Sequence, residues 1–148
     1  MQLPDSFSAF HLPTFVVISD HRQAKLYRVH DRTVELMGEI ITHHLPLEKE
    51  NSTIFVPGGM HAGNPKENLK EVEEEELIHA LNDDLMRRLH QREFERLLFT
   101  VPEDGMKPFK EKLHPDLLSR TDLFLPKLLI SQDLMDAFRL VEDARHPA

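Results

Sequence analysis

The chain has no cysteine and no tryptophan among its 148 residues. The missing cysteine excludes disulfides and thiolate metal ligands, and it favours a reducing compartment. Positive charge is also scarce. Eighteen Lys and Arg face 26 Asp and Glu, leaving a formal charge of −8. That balance argues against broad attraction to nucleic acid, because phosphate binding needs a basic surface. No apolar run approaches the roughly 20 residues that span a bilayer. The opening Met1-Gln-Leu-Pro-Asp lacks the basic start and apolar core of a signal peptide. A cytoplasmic protein without a membrane partner is the expectation, and no DNA partner is expected. A length of 148 residues with 40% hydrophobic and 30% charged side chains suits one globular domain around one core.

What is present is a series of short elements separated by prolines, among them Pro13, Pro46, Pro57, Pro65, Pro102 and Pro115. Residues 1–13 read as an irregular arm, 14–144 as the domain and 145–148 as a tail. Phe15-Val-Val-Ile-Ser is a β-branched apolar run and predicts a buried strand. Asp20-His-Arg-Gln predicts a turn. Ala24-Lys-Leu-Tyr-Arg-Val alternates and predicts the returning strand of a hairpin, and Val34 to Ile41 a third strand. Residues 43–64 are polar and read as a long excursion, with Thr53–Val56 as a weak extra strand. Asn64-Pro65-Lys66-Glu67 has the cap, N1 proline and capping-box glutamate of a helix start. The helix should run to about Gln91, with Leu77, Ile78, Leu81, Leu85 and Leu89 as its apolar stripe. Its first turns, Lys66 to Glu76, are nearly all charged and are expected to project into solvent.

Beyond the helix, Phe94 to Val101 predicts a strand with both faces covered. A short helix over Met106–Leu113 follows. Leu123 to Ile130 reads as a strand edged by Pro126. Ser131 should cap a last helix that buries Leu134, Phe138 and Val141. The order β-β-β, loop, long α, β, α, β, α predicts an α/β (α+β) fold. Its mixed β-sheet would carry an N-terminal antiparallel meander and helices packed on it.

Few constellations carry chemistry. The ten histidines include His43, His44 and His61, but no pair shows the helical four-residue spacing of a zinc enzyme, so no metal is assigned. No Gly-x-Ser-x-Gly elbow occurs, and Asp83 and Asp84 point in different directions on a helix. No catalytic set and no cofactor motif are read. The basic residues Arg87, Arg88, Arg92, Arg96, Lys107, Lys110 and Lys112 are interleaved with acids and read as mixed solvated surface. The most distinctive segment is Gly58, Gly59, Met60, His61, Gly63 and Asn64, a glycine-rich stretch before the long helix. It reads as a candidate binding loop, with a plain helix-capping connection as the alternative.

Phe15-Val-Val-Ile-Ser-Asp-His-Arg-Gln-Ala-Lys-Leu-Tyr-Arg-Val resembles the opening hairpin of the bacterial host attachment protein family. Asp20, Ala24, Lys25 and Leu26 match its pattern. The run from Phe94 to Leu113 is similar to that family's central strand, proline turn and short helix. The family is related to the archaeo-eukaryotic release factors, so the resemblance implies an RNase H-like fold similar to their middle domain and to Pelota. In release factors the loop before the long helix carries Gly-Gly-Gln. Here Gly58 and Gly59 fall at that place and Met60 follows. A thioether cannot supply the amide's donor and acceptor. The resemblance therefore implies a binding protein with a protein or ribosome/RNA partner. A hydrolase acting on peptidyl-tRNA or a related ester through the Gly58-Gly59 loop is the alternative.

Overall fold

The structure is a computed structural model that describes residues 1–42 and 65–146. It contains strands β1 (Phe10–Ser19), β2 (Gln23–Asp31), β3 (Thr33–Ile41), β4 (Arg96–Thr100) and β5 (Thr121–Leu125). The helices are α1 (Pro65–His90), α2 (Glu103–Lys112), α3 (Pro115–Leu118) and α4 (Leu134–Arg145). The strands form one mixed sheet in the order β3-β2-β1-β4-β5. The meander β1-β2-β3 is antiparallel, whereas β4 pairs parallel to β1 and β5 parallel to β4. The mixed sheet, its antiparallel meander and the packed helices are as the sequence predicts.

Alternation along the strands divides the apolar side chains between two cores. On one face Phe15, Val17, Leu26, Leu97 and Phe99 meet Leu77, Ile78, Leu81 and Leu85 of α1 and Met106 and Phe109 of α2. On the other face Val16, Ile18, Tyr27, Val29 and Leu98 meet Ala137, Phe138 and Val141 of α4. Both faces of β4 are covered, which explains its continuous apolar run.

Several boundaries depart from expectation, each for a local reason. The arm expected over 1–13 is part of the body: β1 starts at Phe10, and Leu3, Phe7 and Phe10 are buried in the second core. Pro13 sits inside the register shift between Phe10 and Thr14, where a strand tolerates a missing N–H. The tail expected from residue 145 begins later, because α4 includes Arg145, whose guanidinium lies 3.7 Å from the centroid of the Phe10 ring. The strand expected over Leu123–Ile130 is β5, ending at Leu125 before Pro126. Asp133, not Ser131, caps the last helix, accepting the Met135 N–H at 3.1 Å. α2 begins at Glu103 and tolerates Pro108 in its interior. Asn64 and Thr53–Val56 lie outside the described residues.

α1 ends where Arg92 adopts a left-handed conformation, φ 60°. The Arg92 N–H bonds to the Leu89 carbonyl at 3.0 Å and the Glu93 N–H to the Arg88 carbonyl at 3.0 Å. This is the paired pattern that closes many helices, usually with glycine at the left-handed position.

Candidate functional site at the carboxyl ends of β1 and β4

β1 and β4 are parallel neighbours, with Ile18 opposite Thr100. From their carboxyl ends the chain departs to opposite sides, to β2 from one and towards β5 from the other. In open α/β sheets such a switch point is where ligands are commonly met. Three elements converge here: the β1–β2 turn, the N-terminal half of α1 and the first turn of α2.

The turn is built by Asp20. Its carboxylate accepts the Arg22 N–H at 2.7 Å and the Gln23 N–H at 2.8 Å, and its own N–H donates to the Gln23 carbonyl at 2.9 Å. Asp is suited to this because its short side chain mimics a backbone turn. Thr42, after β3, donates both its N–H and its hydroxyl to the Arg22 carbonyl, at 2.9 and 3.0 Å. Ala24 is fully buried in the first core and Lys25 is half-buried in β2. Asp20 thus shapes the turn and Ala24 fills the core beneath it.

The turn presents His21 to two carboxylates. Nδ1 lies 2.7 Å from Glu74 Oε2 on α1, and Nε2 lies 3.2 Å from Asp104 Oδ1 on α2. The Nδ1 contact is a hydrogen bond, whereas Nε2 meets Asp104 at ion-pair distance only. Lys70 Nζ reaches Asp104 Oδ2 at 2.6 Å, and Arg22 Nε reaches the buried Glu73 at 2.8 Å. The hydrogen bond from Lys70, opposed by partial burial and aided by the His21 charge, holds the Asp104 carboxyl below the usual carboxylate range. Gly105 permits the close approach, since a Cβ there would lie 2.9 Å from Glu74 Oε2. The enclosed space beside His21 is about 10 Å³, room for one water at most. Thr100, at the end of β4, buries its hydroxyl without a hydrogen-bond partner among the described residues.

This clasp joins three elements. Both ring nitrogens of His21 face carboxylates of the protein itself. The expectation that Lys66 to Glu76 projects into solvent is corrected at Glu73 and Glu74: Glu73 is 5% exposed and Glu74 faces the turn. Asp84 is half-buried and pairs with Arg87 and, at 2.7 Å, with Arg88. Gly58, Gly59, Met60, His61, Gly63 and Asn64 lie outside the described residues, as do His43 and His44. Sequence reasoning missed His21, Glu74 and Asp104. The signal was available: stepping the Leu77–Leu81–Leu85 stripe back by one turn lands on Glu73 and Glu74.

The sheet order and the helices packed on both faces define an α/β domain with a mixed sheet. The solved archaeal translation termination factor aRF1 superposes with a TM-score of 0.50 at 13% identity. The match covers 76% of this chain and 29% of the factor, so the chain spans under a third of its length, and the likeness concerns fold alone. The family profile described as "Protein required for attachment to host cells" matches residues 15–136, and the chain belongs to that family. No curated protein matches the chain. Among the described residues no helix is long and apolar enough to cross a membrane.

Proposed function

We propose that this protein is a non-enzymatic binding module. It presents the corner formed by the β1–β2 turn, α1 and α2 to a macromolecular partner, with the translation apparatus of the cytoplasm as that partner. The observation that carries the reading is the His21 clasp. Its titratable side chains engage one another across three elements, which suits a rigid platform better than a reaction centre. The family's description names attachment, a contact with another body. The similarity of fold to a translation termination factor directs the choice of partner. In sequence, the Gly58-Gly59 segment lies within the 43–64 connection between Thr42, bonded to this turn, and α1.

The test is co-sedimentation of the purified protein with ribosomes through a sucrose cushion. The expected result is association that weakens as salt rises and is reduced by His21→Ala. Absence of co-sedimentation at low salt overturns the translation partner. Peptidyl-tRNA hydrolysis that disappears in Gly59→Ala overturns the non-enzymatic reading in favour of the hydrolase.

A further inference from the structure

The opposite end of the sheet carries a second, larger concavity. It lies where β1, β4 and β5 begin, between the Ala9–Leu12 segment and the end of α4, and has a volume of about 340 Å³. That is within the range of small-molecule sites. Phe10, Leu12, Leu98 and Leu123 give it apolar walls, and Arg96 and Arg145 bring two guanidinium groups to it.

The hydrogen-bonding groups here are unequally engaged. Both Asp122 oxygens accept from Arg96, whose Nε lies 3.0 and 3.1 Å from them and whose Nη2 also donates to Oδ1. Glu142 Oε1 accepts from Arg145 Nη1 at 3.3 Å. Glu142 Oε2 accepts the Ser8 N–H at 3.1 Å and faces His146 Nε2 at 3.8 Å. The acceptors are thus occupied. Arg96 Nη1 and Arg145 Nε and Nη2 have no hydrogen-bond partner among the described residues. Arg145 is nevertheless largely buried, with 18% of its side chain exposed, and its guanidinium is packed on the Phe10 ring. Burial pulls its pKa below the ordinary value against the opposing influence of Glu142 and Asp122. A half-buried guanidinium whose unengaged donors open onto an apolar cavity is complementary to an anion.

We infer that this cavity binds a small organic anion, with the anionic group held by Arg145 and Arg96 and a flat apolar body lying against Leu12 and Leu123. The site is at the other end of the sheet from the His21 clasp and is independent of the proposed partner. Isothermal titration with phenyl phosphate, benzoate, inorganic phosphate and phenol, at matched ionic strength, tests it. Phenyl phosphate or benzoate should saturate one site, whichever of the two binds more tightly identifying phosphate or carboxylate as the preferred group. Phenol and inorganic phosphate should bind at least about tenfold more weakly, each lacking half of the recognition. Arg145→Met should weaken binding by about tenfold or more. Arg96→Gln, which leaves the Arg145–Phe10 contact in place, should weaken it several-fold and serves if Arg145→Met does not fold. Lys110→Met, on the other side of the sheet, should leave binding unchanged. No saturation by either aromatic anion up to about 10 mM, or equal binding by the folded Arg96→Gln and Arg145→Met variants, overturns the proposal.

Discussion

Two positions place unusual demands on a single residue. Arg92 holds φ 60° with a Cβ, at the helix-ending position where glycine is the usual choice. Arg92→Gly should stabilise the protein by about 0.5–1 kcal/mol, the steric relief exceeding the added freedom of the unfolded chain. A urea midpoint that falls with an unchanged slope would contradict this. Gly105 presents the reverse case. Alanine inside a helix ordinarily gains about 0.5–1 kcal/mol over glycine, but here its Cβ would displace the Glu74 carboxylate from His21. Gly105→Ala should therefore cost about 1 kcal/mol in the native background and become stabilising when Glu74 is already alanine. A double-mutant cycle with no sign change would show that the clasp is energetically idle.

Among the elements, α1 depends on both ends of its length. Its middle is held by the apolar stripe, and its last turns by Arg88. Arg88 bonds Asp84 at 2.7 Å, Glu93 at 2.8 Å and the Met37 carbonyl of β3 at 3.3 Å. Burial disfavours its charge, yet the carboxylates of Asp84 and Glu93 prevail and raise its pKa. Gly38, in β3, leaves room for the guanidinium, which would lie 3.0 Å from a Cβ at that position. Arg88→Met should cost about 2–3 kcal/mol, because half-buried Glu93 loses its partner and Asp84 keeps only Arg87; thermal unfolding monitored by circular dichroism measures it. Periodicity made the stripe, the three meander strands and β4 legible, since burial on one or both faces writes itself into spacing. It could not reveal Arg88 or His21. A polar side chain that packs inward through a long-range ion pair looks, in sequence, like one that faces water. The arm misleads differently: Leu3, Phe7 and Phe10 fall at four- and three-residue steps, the spacing of a helix, yet they reach one core from an irregular segment and the start of β1.

For the whole molecule, the clasp gives stability an acid limb. Asp104 has a lowered pKa in the folded state, owing first to Lys70 and then, against burial, to His21. A lowered carboxyl pKa contributes stability above its unfolded value, about 3.9, and that contribution is lost as pH falls through the folded value. Asp104→Asn should therefore be less stable than the native protein at neutral pH, by under about 1 kcal/mol for so exposed a pair. The difference should close below about pH 4. Parallel stability curves from pH 7 to 3 would exclude the ion pair as its source.

The pairing of Thr14 with Arg96 and of Ile18 with Thr100 has a consequence for synthesis. The meander can close soon after β3 emerges, but the second edge of β1, its central strand, stays open until β4 follows. At about 5–20 residues per second that interval lasts about 3–12 s. A nascent chain at this stage carries an unpaired strand edge and apolar residues on both faces of its sheet, the condition in which edge-to-edge association with neighbouring chains begins. Synthesis rate and nascent-chain crowding should therefore govern how much of this protein reaches its folded state.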